Sequence, residues 1–179
     1  MGGSCKPDLI TGVPPSRKDL FKETKQAFFE APEMVIAVRL NLPLVNSISG
    51  SWDVTDPERL AAWETYVEII TRIVQPQTGF SQRDIVWELD CLEALLNKMR
   101  DILKKYGPAV GQVVRPNDLS FAHLALTVIN VVLRPVLAKG EKIKGGQSGQ
   151  KDFSRELDSV YAVLIDYCNI LAQAADVVL

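Results

Sequence analysis

The residues that most often move protons, attack substrates or hold metals are scarce here: one histidine, His123, and three cysteines, Cys5, Cys91 and Cys168. His123 stands in the apolar run Phe121-Ala122-His123-Leu124, which reads as a core imidazole rather than a catalytic base. It lacks the Glu-x-x-His pairing that builds metal centres in helical bundles, so no metal is expected. The cysteines are far apart and two lie among apolar neighbours, which suits free thiols packed as small hydrophobes in a reducing compartment. Glu64 and Glu68 are one helical turn apart, as paired carboxylates might be, but lie opposite much of an apolar stripe and read as exposed charges. Ser47-Ile48-Ser49-Gly50-Ser51 is not followed by the Gly-Lys-Ser/Thr of a phosphate loop. Lys139, Lys142 and Lys144 could grip phosphates, yet no aromatics are interleaved with them, so nucleic-acid binding is not expected. Three tryptophans remain. Trp63 and Trp87 read first as padding between helices and, together with His123, as an alternative ligand pocket; Trp52 lies outside any helical pattern, beside a strand-like segment. No catalytic residue, cofactor or metal follows from these residues, and the expectation is a non-enzymatic protein.

The elements that must position these side chains are mainly helical. Stretches 57–74, 82–106, 118–138 and 153–178 carry apolar residues at alternating three- and four-residue steps. Thr55 and Glu58 have capping-box spacing ahead of the first, whose stripe is Leu60, Trp63, Val67, Ile70 and Val74, thickened by Tyr66, Ile69 and Ile73. The second has the seam Ile85, Leu89, Leu92, Leu96, Met99, Leu103 and Tyr106, closed by Gly107-Pro108. The third opens at Asn117-Asp118 and is apolar on nearly every side, which places it at the centre; Pro135 should kink it or end it near Arg134. The last has the seam Phe153, Leu157, Val160, Leu164, Cys168, Leu171, Ala175 and Val178. A short helix led by Asp19 is expected before Pro32, and the alternation over 35–42 reads as a strand whose mate is either 45–54 or another chain. The expected fold class is therefore all-α: a bundle of four to five helices with an N-terminal short helix and a short strand-like segment. The expected domains are a flexible arm over 1–18 and one bundle over 19–179, interrupted by a mobile loop at 140–150.

With 179 residues and 47% hydrophobic content, the chain can bury one core. A net charge of −2 gives no reason to expect a polyanion partner, although 81–151 is basic and 152–179 acidic. The opening Met1-Gly2-Gly3-Ser4-Cys5-Lys6 has Lys6 where a myristoylation site wants Ser or Thr, and no basic-then-apolar leader precedes the arm. Leu119 to Leu133, interrupted by His123 and Asn130, reads as too short to span a bilayer. A soluble, cytoplasmic protein with no membrane partner is expected.

Several segments also occur in a characteristic order. They are Val38-Arg39-Leu40-Asn41-Leu42-Pro43-Leu44, Asp56-Pro57-Glu58, Ala61 through Ile73, Leu103 through Pro108, Asp118 through Ala125, and Val132 through Lys139. In that order they resemble the caspase- and TPR-repeat-associated (CATRA) modules of bacterial conflict systems, over about 35–179. The resemblance implies a helical adaptor working beside nucleotide-dependent switches and caspase-like proteases, and it brings no catalytic residues. Gly140-Glu141-Lys142-Ile143 stands where the group carries a Trp-His-Pro-like segment, which puts any partner contact made there in doubt.

Two functions follow as expectations. The first is an adaptor or regulator in a defence assembly, binding a protein partner or itself through Ile36, Val38, Leu40, Leu42 and Trp52, because a lone strand offers main-chain groups to another chain. The second is a small-ligand sensor with a pocket at Trp63, Trp87 and His123.

Overall fold

The structure is a computed structural model that describes residues 34–42, 47–73, 85–112, 118–144 and 150–177. The expected arm over 1–18 and the short helix after Asp19 lie outside the described residues.

Alternation in the first described segment yields a strand, β1 (Met34–Leu40), with Ile36, Val38 and Leu40 buried and Val35, Ala37 and Arg39 exposed. Its mate is within the chain. β2 (Ile48–Val54) runs antiparallel to it, from Met34 opposite Val54 to Leu40 opposite Ile48. A two-residue strand, β3 (Asp118–Leu119), then joins β2 in parallel, with Ser51 opposite Asp118 and Trp52 opposite Leu119. The Ser51 hydroxyl donates to Asp118 Oδ1 at 2.9 Å. The order β1-β2-β3 makes a small mixed sheet beside the helices, so the fold is α+β and the all-α expectation is corrected. The reason is burial. The helices carry more apolar surface than they can cover among themselves, and the inner face of the sheet (Ile36, Val38, Leu40, Trp52 and Val54) completes the same core.

Helix α1 (Asp56–Ile73) opens on the capping residue Thr55, whose carbonyl accepts from the Arg59 N–H. Its inner face is Glu58, Ala61, Ala62, Thr65, Tyr66 and Ile69. The stripe expected to be buried is only partly so: Leu60 is 56% and Trp63 47% exposed, whereas Val67 and Ile70 are half-buried against the core and Tyr66 and Ile69 belong to it. Apolar residues reach round this helix at its N-terminal end, and periodicity alone does not show that the inner face there is Glu58, Ala61 and Ala62 rather than Leu60 and Trp63. The small Ala61 and Ala62 let neighbouring helices approach closely on the true inner face.

Helix α2 (Ile85–Tyr106) buries Leu89, Leu92, Leu95, Leu96, Met99 and Ile102. It ends at Gly107, whose φ of 55° is the left-handed value a helix terminus favours, and Pro108 continues into the 3-10 turn Gly107–Val110. The next helix starts later than Asn117-Asp118. Ser120 caps α3 (Phe121–Thr127), accepting from the His123 N–H at 3.2 Å. A π-helical segment, Val128–Leu133, leads without interruption into α4 (Arg134–Lys144). Pro135 therefore does not stop the helix. The Arg134 N–H reaches back five residues to the Ile129 carbonyl, and this widened turn takes the helix into the proline, which has no N–H to donate.

The continuation through Lys144 narrows the loop expected at 140–150, and residues 145–149 lie outside the described residues. It also makes Phe121–Ile143, with mean hydropathy 1.7, long and apolar enough to cross a membrane by length and composition. In this fold Phe121, Leu124, Val128, Ile129, Val132 and Leu133 of that helix are core. Helix α5 (Gln150–Ala174) packs Phe153, Leu157, Val160, Leu164 and Leu171 inward and lies against both α1 and β1. Tyr167 on α5 is fully buried and its hydroxyl has no hydrogen-bond partner; the same holds for Trp52 Nε1.

Candidate functional site

The five residues expected to bind a partner divide by burial. Ile36, Val38, Leu40 and Trp52 are core, and Leu42 is half-buried against it. The Trp52 ring lies 6.5 Å from that of Phe121. A partner cannot reach the four core side chains, so the apolar face of the strand is corrected from docking surface to structural lid. What β1 leaves accessible is its backbone edge and its outward face.

The edge lies on the side away from β2. There the main-chain groups of alternate β1 residues point outward, and no hydrogen bond among the described residues takes them. The strand is seven residues long, Met-Val-Ile-Ala-Val-Arg-Leu, with no Pro, Lys or Gly to blunt it. The opposite edge is the two-residue β3 and offers little to pair with. On the outward face the register sets Val35 beside Asp53, Ala37 beside Ser51 and Arg39 beside Ser49. Val35 is 61% exposed. Arg39 and Asp53 make no ion pair among the described residues, and four strand positions separate them on the face. Sequence reasoning passed over these outward residues because it assigned function to the more apolar face. The signal that marks them is Arg39 itself, a charge in an apolar strand, which must sit on the side that is not core.

Behind the sheet, Glu58 ties the elements together. Its Oε2 accepts from the Thr55 N–H at 3.1 Å and the Thr55 hydroxyl at 3.0 Å, and its Oε1 accepts from the Phe121 N–H at 2.9 Å. One buried carboxylate thus satisfies donors at the starts of both α1 and α3, where helix dipoles favour negative charge.

The alternative ligand residues lie on three different helices. Trp63 on α1 stacks on Tyr66 at 5.8 Å, Trp87 on α2 is 49% exposed, and His123 on α3 is exposed instead of core. His123 follows the capping residue by one turn and falls on the solvent side of α3, while Phe121, Leu124 and Ala125 take the inner side. A groove of about 640 Å³ runs along α2, lined by Asn97, Arg100, Asp101, Leu103 and Lys104, and contains none of the three.

Across the α1–α2 contact, Glu64 Oε1 pairs with Lys105 and accepts from the Tyr106 hydroxyl at 2.8 Å. The Lys105 ammonium, foremost, holds the Glu64 carboxyl below its ordinary range, while burial first and the Glu64 bond second push the Tyr106 phenol up. Glu68 pairs with Arg72 and lies 3.8 Å from Lys98. The two glutamates expected to be free surface charges are therefore both engaged. No group of His, Cys, Asp and Glu side chains that could hold a metal occurs among the described residues. Cys91 and Cys168 are free thiols whose pKa burial raises.

No family model, curated protein or solved structure matches this chain.

Proposed function

We propose that the chain is a non-catalytic interaction module that works by accepting an extended segment of protein on the open edge of β1. The observation that carries this reading is the edge itself: on the side of β1 away from β2 the main-chain groups of alternate residues take no hydrogen bond among the described residues, the strand has no lysine or proline to close that edge, and its inner face is anchored in the core. Anchoring matters because a strand fixed by Ile36, Val38 and Leu40 loses little further freedom on docking, so main-chain hydrogen bonds convert efficiently into affinity. The resemblance of the ordered segments to CATRA modules supports placing the module as an adaptor in a bacterial defence assembly. The sensor reading is weaker, because Trp63, Trp87 and His123 are each substantially exposed and sit on different helices.

The test is affinity purification of tagged full-length protein from its host, followed by mass spectrometry, comparing wild type with Val35→Lys. A protein prey that is lost in the variant is the expected outcome. A bound metabolite, with no protein that depends on Val35, would sink the adaptor reading in favour of the sensor.

A further inference from the structure

We propose that the segment taken up by the β1 edge is β1 of a second copy of this chain. The two strands run antiparallel about a twofold axis through Ala37, joining the two sheets into one of six strands. This rests on the reading of β1 as an open docking edge and names its occupant.

The strand is complementary to itself in one register. With Ala37 opposite Ala37, all seven residues find partners: Val35 meets Arg39, Met34 meets Leu40, and Ile36 meets Val38. Apolar inner residues face apolar inner residues, and the outward faces of the two sheets coincide. The smallest outward side chain sits on the axis, where two copies of one residue must come closest. The two Arg39 side chains do not oppose each other, so the pairing carries no like-charge penalty.

Charge selects this register further. Asp53 lies opposite Val35 on the far side of β1, so in the joined sheet Arg39 of one copy lies over Val35 of the other and points toward its Asp53. Two strand spacings separate those two backbones, about 9–10 Å, which an extended arginine and an aspartate span together. Each such row places one cation, one apolar side chain and one anion in line, twice per dimer by symmetry. It also covers Val35, the most exposed large apolar residue among those described, with the arginine stem. Within one copy Arg39 and Asp53 cannot meet, because four residues of strand separate them, about 13 Å. A second copy turns these two charges, which make no ion pair among the described residues, into neighbours. The interface is isologous and closed, which limits assembly to a dimer.

The experiment uses the full-length chain. Sedimentation equilibrium should show a concentration-dependent dimer. Under mild oxidation Ala37→Cys should form a covalent dimer linked 37 to 37, identified by the mass of the joined peptide, since directly opposed residues lie about 4.5–5.5 Å apart, within disulfide reach. Val35→Cys alone should not cross-link to itself, whereas mixing it with Arg39→Cys should. Arg39→Glu should weaken the dimer by roughly tenfold or more, and Arg39→Glu combined with Asp53→Arg should recover most of that loss.

A chain that stays monomeric overturns the proposal, as does a dimer with no 37–37 link. A labelled peptide of residues 34–40 separates this failure from that of the underlying reading. A monomer that binds the peptide, with binding lost in Val35→Lys, retains the docking edge and removes the second copy as its occupant. A chain that neither dimerises nor takes the peptide removes both.

Discussion

Glu58 shows how much one side chain can hold. A carboxylate with three donors is buried at low cost, but its removal strands the Phe121 N–H in the core and uncaps α1 at the same time. Glu58→Ala is expected to lower the stability of the fold by about 2–4 kcal/mol in urea unfolding, and Glu58→Gln, which keeps one acceptor, by distinctly less. Equal losses in the two variants would mean that the Phe121 bond contributes nothing. The Thr55 half of this arrangement is legible as a spacing of three residues. The Phe121 half is not, because the two residues are 63 positions apart and no local pattern reports the contact. Glu64 gives a second test at this scale. Its folded-state pKa is depressed, so its contribution is complete above the ordinary carboxyl value of 4.5 and is lost as pH falls through the lower folded value. Replacing it with Gln should flatten the acid side of a stability–pH profile and leave the shape of the profile near neutrality unchanged.

Among the elements, the long helix from Phe121 to Lys144 departs furthest from expectation. Its apolar residues announce burial on nearly every side; Leu124, Val128, Ile129 and Val132 are core, but Leu126 is 48% exposed, so the helix keeps an outer face. Its length was hidden by Pro135, which ordinarily ends a helix, and by Gly140, which reads as the start of a loop. Gly140 instead sits within α4, where an added Cβ would lie 2.4 Å from Leu89 Cδ2 and 2.6 Å from Cδ1. Leu89 is 1% exposed, so its side chain would have to shift within the core to admit a methyl group, and the glycine lets α4 approach α2 without that shift. Gly140→Ala should therefore cost about 1–3 kcal/mol despite the better helix propensity of alanine. In a Leu89→Ala background the same change should be neutral or stabilising, and equal effects in both backgrounds would disprove the contact. Helix α2, by contrast, was legible in its seam, which follows from one amphipathic period, and in its ending, which follows from Gly107-Pro108, but not in the burial of Glu88 or the exposure of Val86 and Trp87.

For the molecule as a whole, the sheet decides both the fold class and the candidate surface. A strand over 35–42 could be read from alternation, and its pairing with 45–54 was one of two mates left open. The third strand could not be read, because two residues bridging to β2 leave no periodic trace. Nor could the direction of the sheet's apolar face be read, since it depends on how much helix surface remains to be covered. Substitutions on the two faces should separate sharply. Val38→Lys puts an unpaired ammonium into the core and should abolish cooperative thermal unfolding, a cost of several kcal/mol against a total of roughly 5–15. Val35→Lys, on the outward face, should keep the circular dichroism and melting curve of the wild type. Matching melts for the two variants would show that the sheet does not cover the helices as described.

The buried hydroxyl of Tyr167 sets an alkaline ceiling on this architecture. Burial, and to a lesser degree Cys168, holds the phenol well above its ordinary value of 10.0, so the folded chain keeps the ring neutral while the unfolded chain can ionise it. Stability is therefore unaffected below that ordinary value and drains away as pH rises past it. The phenolate absorbance of this one ring should appear only with global opening, which makes Tyr167 an optical gauge built into the core. Tyr167→Phe removes the unpartnered hydroxyl, and the variant should withstand a higher pH than the wild type before it unfolds.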